Sequence, residues 1–288
     1  MIFGRYAPVV TRVVAVLGKG VVAPGTPILR ADDLGVLRGD GVFETLHVRG
    51  GSPWLIDEHL ARMARSAERL DLPLPSRTAL AELAAQACSA WPAGAEGALR
   101  LVCTRGPEDG GGPTVYATVG PVGEKHRRAR RDGIAVVTAT LGVAIGTRAA
   151  APWLLGGVKS LSYAVNMASL RWAADRGADD VLWTSADGYA LEGPTATLVW
   201  LVGDELCTVP ASTGVLPGTT GRWLLDHAGK LDLRPAERLV RPAELFDAAG
   251  VWLTSSVRGV AEVRAIDGAA LPGSPDTRRL RELLGYEI

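Results

Sequence analysis

The sequence is poor in sulfur and has no surplus of either charge. Only three of its 288 residues are cysteine (Cys88, Cys103, Cys207), far apart and with no CxxC pair. That odd, scattered set argues against a disulfide framework and a zinc site, so no metal is expected, and it fits a reducing compartment. Basic and acidic side chains number 31 each. With no net basic character, neither nucleic acid nor an anionic membrane surface is an expected partner. No apolar run reaches membrane length, and in Met1–Val22 the charges Arg5, Arg12 and Lys19 interrupt any signal-peptide core. These absences predict a cytoplasmic protein. Internal repeats and long low-complexity tracts are also missing.

What is present is an ordinary globular composition: 47% apolar and 22% charged residues, in a chain long enough for one large or two modest domains. Strands are expected at Val13–Leu17 and Gly41–Val48, separated by the turn chemistry of Pro24-Gly25-Thr26-Pro27. The strand period of two puts Phe43, Thr45 and His47 on one face and Val42, Glu44, Leu46 and Val48 on the other. Both faces therefore carry polar groups, which a half-buried strand normally avoids. Asp57 can cap a helix whose apolar stripe is Leu60, Met63, Ala67 and Leu70. A second helix is expected near Leu80–Ala90, then strands at Leu99–Thr104 and Thr114–Val119.

The basic stretch Pro121–Asp132 reads as a solvated linker. After it come a strand (Ile134–Thr140), a helix (about Leu161–Arg176) and a hairpin at Asp187-Gly188. Strands at Leu198–Val202 and Leu206–Val209, a helix after Thr220, a strand at Val251–Thr254 and a C-terminal helix complete the chain. The expectation is an α/β (α+β) protein of mixed sheets and helices in two domains, residues 1–120 and 133–288, joined by a linker at 121–132. A cleft between two such domains is a common place for a small-molecule ligand.

Lys159 follows Gly156-Gly157-Val158 and precedes an apolar helix. A lysine among apolar groups has its charged form disfavoured and can form Schiff bases. A helix-start lysine that merely snorkels gives the same pattern, and the pattern alone does not choose.

Other segments do. Arg38-Gly39-Asp40-Gly41-Val42-Phe43-Glu44-Thr45, Glu58-His59-Leu60-Ala61-Arg62-Met63, and Lys159-Ser160-Leu161-Ser162-Tyr163-Ala164-Val165-Asn166 are followed by Asp187-Gly188-Tyr189-Ala190-Leu191-Glu192-Gly193, Gly218-Thr219-Thr220 and Leu253-Thr254-Ser255-Ser256. Each is weak alone. In this order and spacing they resemble the fold-type IV pyridoxal-5′-phosphate (PLP) enzymes, which include branched-chain and D-amino-acid aminotransferases and 4-amino-4-deoxychorismate lyases.

The resemblance implies PLP as cofactor, bound in the interdomain cleft, and a homodimer. It makes Lys159 the cofactor-bearing lysine and Glu192 the carboxylate facing the pyridine nitrogen. Arg62 becomes the phosphate-binding arginine; periodicity left Arg62, Arg65 and Arg69 open, and the choice rests on the resemblance alone. Thr219 and Thr220 match a phosphate-binding helix start, Ser255 and Ser256 a second small-residue turn, and Tyr163 a tyrosine near the 3′-oxygen. Two departures stand out. Thr197 occupies the place of the usual Asn after Glu192-Gly193, and Gly221 intervenes before Arg222.

D-amino-acid aminotransferases resemble this chain but typically have Tyr where Phe43 stands, and an Arg-x-His carboxylate trap after a Thr-Arg-Gly. Here Thr104-Arg105-Gly106 leads into Pro107-Glu108-Asp109-Gly110, an acidic loop ill suited to an anion. Thr45 sits where the lyases have a threonine. The resemblance thus points to a PLP-dependent lyase giving 4-aminobenzoate for folate synthesis, with a D-amino-acid or branched-chain aminotransferase as the alternative. Phe43, His47 and Arg105 are the candidate substrate residues, and Lys159 and Thr45 the candidate catalytic ones.

Overall fold

The computed structural model describes residues 12–286; residues 1–11, Arg5 among them, and 287–288 lie outside it. The chain forms two compact units, one ending at Val122 and the other beginning at Gly123.

The first unit contains β1 (Val13–Val16), β2 (Gly20–Val22), α1 (Leu34–Arg38), β3 (Gly41–Arg49), β4 (Ser52–Pro53), α2 (Ile56–Arg69), α3 (Arg77–Ser89), β5 (Gly97–Thr104) and β6 (Thr114–Pro121). Its sheet has the order β2-β1-β6-β5-β3-β4, antiparallel throughout. Alternation along β3 places Val42, Leu46 and Val48 in the core beside Leu60 and Met63 of α2 and Leu80 and Leu83 of α3. Each such buried side chain contributes about 1.5–3 kcal/mol. Helix α2 does not start on an Asp57 cap. The chain enters it through Leu55 in the left-handed region (φ 56°), without a side-chain cap. Asp57 lies within the first turn, where it pairs with Arg77 and complements the helix dipole.

The second unit contains α4 (Glu124–Asp132), β7 (Ile134–Thr140), α5 (Thr147–Ala150), α6 (Ala164–Ala174), β8 (Asp180–Thr184), β9 (Thr197–Val202), β10 (Glu205–Thr208), α7 (Thr219–Asp226), β11 (Arg234–Glu237), β12 (Gly250–Ser255), β13 (Gly259–Ile266), β14 (Ala269–Ala270) and α8 (Asp276–Leu283). Its mixed sheet runs β11-β10-β9-β12-β13-β7-β8, with β14 beside β13. β7 is parallel to both its neighbours. The observed class is the mixed α/β fold expected.

One expectation fails outright. The stretch Pro121–Asp132 is not a loop-like linker: Glu124–Asp132 is helix α4, part of the second unit and packed on β13. Ala129 is its one buried residue, so its sequence carries no apolar stripe. The other helix expectations hold with shifted ends.

Among the described residues no helix is long and apolar enough to cross a membrane. All three cysteines are buried. Burial pushes the Cys88 thiol up to about 11, and burial with the charge of Asp33 pushes that of Cys103 up to about 12, so neither is a ready nucleophile.

Candidate active site

In the first unit the polar group on the apolar face of β3 finds its partners on α2. Glu44 is fully buried, and its carboxylate accepts from Arg62 Nε at 2.8 Å and Arg62 Nη2 at 2.7 Å. His59 Nδ1 donates to it at 2.6 Å. Burial alone would raise the Glu44 carboxyl, but the Arg62 charge and the hydrogen bonds of Arg62 and His59 outweigh it and hold it well below the usual carboxylate range. His59 and Arg62 lie one turn apart on α2, which aims both at one point. Glu44 takes the Nε/Nη2 side of the guanidinium and so fixes the direction of the rest.

The opposite face of β3 carries Phe43, Thr45 and His47 as expected. Phe43 and His47 are buried and Thr45 half-buried, with the Arg100 guanidinium 5.9 Å from the Phe43 ring. His47 is committed to structure. Its Nδ1 accepts from Arg49 Nε at 2.8 Å, so its Nε2 is the donor to Glu96 at 2.9 Å. Arg105 is committed likewise. It forks onto Asp40 at 2.6 and 3.2 Å and donates to the carbonyls of Leu70 and Asp71. Both are candidates for reading a substrate carboxylate, and both already hold these internal partners. Thr104 turns inward to Asp33.

In the second unit the candidate residues are drawn together by the backbone around them. Lys159 is half-buried, and its Nζ donates to the Tyr163 hydroxyl at 3.3 Å. Both flanks of this lysine are tied to the surroundings of Glu192. On one side the Gly157 N–H donates to Gly214 O, two residues before Leu216, whose N–H is shared by both Glu192 carboxylate oxygens at 3.1 and 3.2 Å. On the other, Asn166 Nδ2 donates to Pro194 O at 2.6 Å, pinning α6 to the turn after Glu192. Glu192 itself is buried.

From Leu216 the chain passes directly into α7. Its N-cap, Gly218, makes no side-chain cap bond, and first-turn amides have no carbonyl one turn back to satisfy them. Thr219, Thr220 and Gly221 are buried there. The Thr220 hydroxyl is buried without a partner, and Thr219 Oγ1 lies 3.5 Å from Ser256 Oγ. Gly218 is required by its neighbour, since a Cβ would run into the Thr197 hydroxyl. Thr197, standing where the family pattern has Asn, thus packs beneath the start of α7. Arg222 points away, pairing with Asp226 and Glu237 at the surface. Ser255 is half-buried on the same turn as Ser256.

The sequence pattern described as amino-transferase class IV matches residues 41–266. The chain belongs to the class IV aminotransferase family. A bifunctional aminodeoxychorismate lyase / D-amino acid transaminase from Mycobacterium tuberculosis is 43% identical over 284 residues, 96% of this chain and 98% of that protein. A hypothetical aminotransferase from the same organism, solved in a PLP-bound form, superposes with a TM-score of 0.92 at 42% identity, covering 95% of this chain and 97% of its own. A fold IV transaminase from Curtobacterium pusillum gives 0.89 at 37% identity, covering 96% and 97%. The protein is therefore an enzyme of a PLP-dependent family of lyases and transaminases, and pyridoxal 5′-phosphate is its cofactor.

The residues of the second unit fit that group. An uncapped helix start with an orphaned buried hydroxyl suits a phosphate. A buried carboxylate anchored by the Leu216 N–H suits a protonated ring nitrogen, and a half-buried lysine suits the aldehyde. Sequence reasoning did not assign the groups that hold these residues: Asn166 and the Leu216 amide in the second unit and, in the first, Glu44 and His59 around Arg62. Asn166, His59 and Glu44 stand within the ordered motifs, and Glu44 shows also as a carboxylate on the apolar side of its strand.

Proposed function

We propose that the protein is a 4-amino-4-deoxychorismate lyase, releasing pyruvate and 4-aminobenzoate, with transamination of a D-amino acid as a second activity. Lys159 would hold the cofactor through Nζ. Thr219, Thr220, Ser255 and Ser256 would take its phosphate, with Arg62 as the cationic partner carried over from the family pattern. Bound PLP supplies an electron sink for the charge left when the substrate carbon bearing the amine loses its proton. Lys159 Nζ takes that proton, and the Tyr163 hydroxyl beside it keeps the amine oriented. Glu192 keeps the proton on the ring nitrogen, which is what makes the sink effective. Thr45 would position the enolpyruvyl group and relay to it, as it leaves, a proton that solvent replaces on the hydroxyl, and Phe43 walls the same face of β3.

The lyase reading is carried by Arg105. At the end of β5, where D-amino-acid transaminases have a trap for the substrate carboxylate, this arginine is spent on Asp40 and two carbonyls. Glu108 and Asp109 in the following loop pair with Arg38 and Arg30. Such a self-neutralised strand end offers little to an anion. The transaminase reading is favoured by the similar mycobacterial protein, whose name carries both activities.

The test is to supply aminodeoxychorismate with no 2-oxo acid present. Multiple-turnover release of pyruvate is expected, and its loss in Lys159→Ala. No release, together with D-alanine-dependent amination of 2-oxoglutarate, would overturn the lyase assignment. A second copy of the chain is the proposed partner. Val165 and Trp172, 63% and 37% exposed, lie on helix α6, in which Ala173 alone is buried, and Trp153, 76% exposed, lies in the turn Pro152–Leu154; large exposed apolar side chains of this kind are what a partner copy would cover. Sedimentation equilibrium should give the dimer mass; a monomer at micromolar concentration would refute it.

A further inference from the structure

We propose that Tyr286 and Arg130 are positioning residues for the phosphate end of the cofactor site, holding the Ser255–Gly259 turn from behind by its carbonyl groups. The inference rests on the reading of Ser256 and the start of α7 as the phosphate site.

The turn between β12 and β13 brings the Ser256 hydroxyl within 3.5 Å of that of Thr219. A turn of small residues has little stiffness of its own, so where its hydroxyls point depends on what fixes its backbone. Here consecutive carbonyls are each held by a side chain from a segment remote in sequence. The Tyr286 hydroxyl, from the tail after α8, donates to Ser256 O at 2.5 Å. Arg130, from α4, donates through Nη2 to Val257 O at 2.9 Å and through Nε to Arg258 O at 3.3 Å.

The two supports also hold each other, because the Arg130 guanidinium lies 4.3 Å from the centre of the Tyr286 ring. Gly259 closes the turn at φ +70°, and a Cβ there would come within 2.7 Å of that ring. Glycine is thus needed both for the left-handed backbone and for the space the tyrosine fills. Arg258, within the turn, reaches inward to Asp180 at 2.6 Å. Asp180 opens β8, the strand in which the Trp183 N–H donates to Glu192 O. The back of the turn is therefore connected to the element that carries the ring-nitrogen carboxylate.

A tail residue that only sealed the core would affect every ligand alike. A residue that sets the Ser256 backbone should affect the phosphate and nothing else. The cleanest probe is Tyr286→Phe, which keeps the ring against Gly259 and under Arg130 and removes the one oxygen that reaches Ser256.

Dissociation constants for PLP and for pyridoxal, its analogue without phosphate, should be measured on the full chain stripped of cofactor. Losing one buried hydrogen bond behind the site should weaken PLP by about three- to tenfold while leaving pyridoxal unchanged. Arg130→Gln, at a half-buried position, should lower the PLP-over-pyridoxal preference in the same way, and the ratio is read on whichever variant folds. Equal loss for both ligands, or an unchanged ratio, overturns the proposal. Ser256→Ala separates the two levels. If it too leaves the preference intact, the phosphate reading itself fails. If it lowers the preference while Tyr286→Phe and Arg130→Gln do not, only the positioning role fails.

Discussion

Each unit encloses a carboxylate, an arginine and a histidine, and the two sets are arranged in opposite ways. In the first unit Glu44 is the hub: Arg62 gives it two hydrogen bonds and His59 a third. In the second unit Arg258 gives Asp180 one, and the other oxygen of Asp180 accepts from the Val181 N–H. Arg258 Nε and Nη1 and His126 Nδ1 are buried without a protein partner. His126 is then a histidine on the side of the cation. Desolvation first, and then the charges of Arg258, Lys125 and Arg130, push it down to about 4, against a smaller opposing pull from Asp180. A carboxylate, an arginine and a histidine make a closed knot in one unit and an incompletely bonded set in the other. What decides is whether the histidine meets the carboxylate or the arginine.

The largest expected effect comes from breaking the closed knot. Glu44→Gln removes the charge and turns an N–H toward two donors, leaving Arg62 buried without its counter-ion. Removing one partner of such a pair costs about 3–5 kcal/mol, to be read as the loss of unfolding free energy in urea. The pH dependence has a definite sign. The folded carboxyl lies below its ordinary value of 4.5, so its stabilisation is complete above that pH and drains away as the pH falls beneath it. The advantage of the wild type over Glu44→Gln should therefore shrink in acid. A variant that unfolds like the wild type at pH 7 would show that the knot is held by packing rather than by charge.

The contrast also separates what could be read in the sequence from what could not. Alternation along β3 located Glu44 on the apolar face, but its partners lie on α2, and no local pattern names a partner that tertiary contact supplies. The strand Ile134–Thr140 was legible to the residue because its apolar run is bounded by Gly133 and Leu141-Gly142. Helix α4 was not, because one buried residue in a polar segment leaves no periodicity to detect. β13 was missed for a related reason: its buried Glu262, which accepts from the Ser274 N–H, breaks the apolar pattern of an interior strand. At the site, the residues proposed to face the cofactor stand in ordered motifs. The residues that hold the turn after β12, Arg130 and Tyr286, were not legible, because they act through backbone carbonyls and a carbonyl has no signature in the sequence.

The smaller and sharper test of the contrast is His126. A histidine that stays neutral in the fold down to about pH 4, but takes a proton near 6.5 when unfolded, binds fewer protons folded than unfolded across that window. Stability must then fall as the pH drops from 6.5 toward 4 and be unaffected by this group above 6.5. Other groups titrate in the same range, so the useful quantity is the difference between the wild type and His126→Gln, which removes the titration. The variant should gain on the wild type by on the order of 1 kcal/mol between pH 7 and pH 5, the full shift being discounted because the ring is only half-buried and partly screened. Urea midpoints at the two pH values measure it. A difference that stays constant would mean that neither burial nor Arg258 holds the ring neutral. A difference of the opposite sign would mean that it takes up a proton against Asp180, so that the carboxylate rather than the arginine decides its charge.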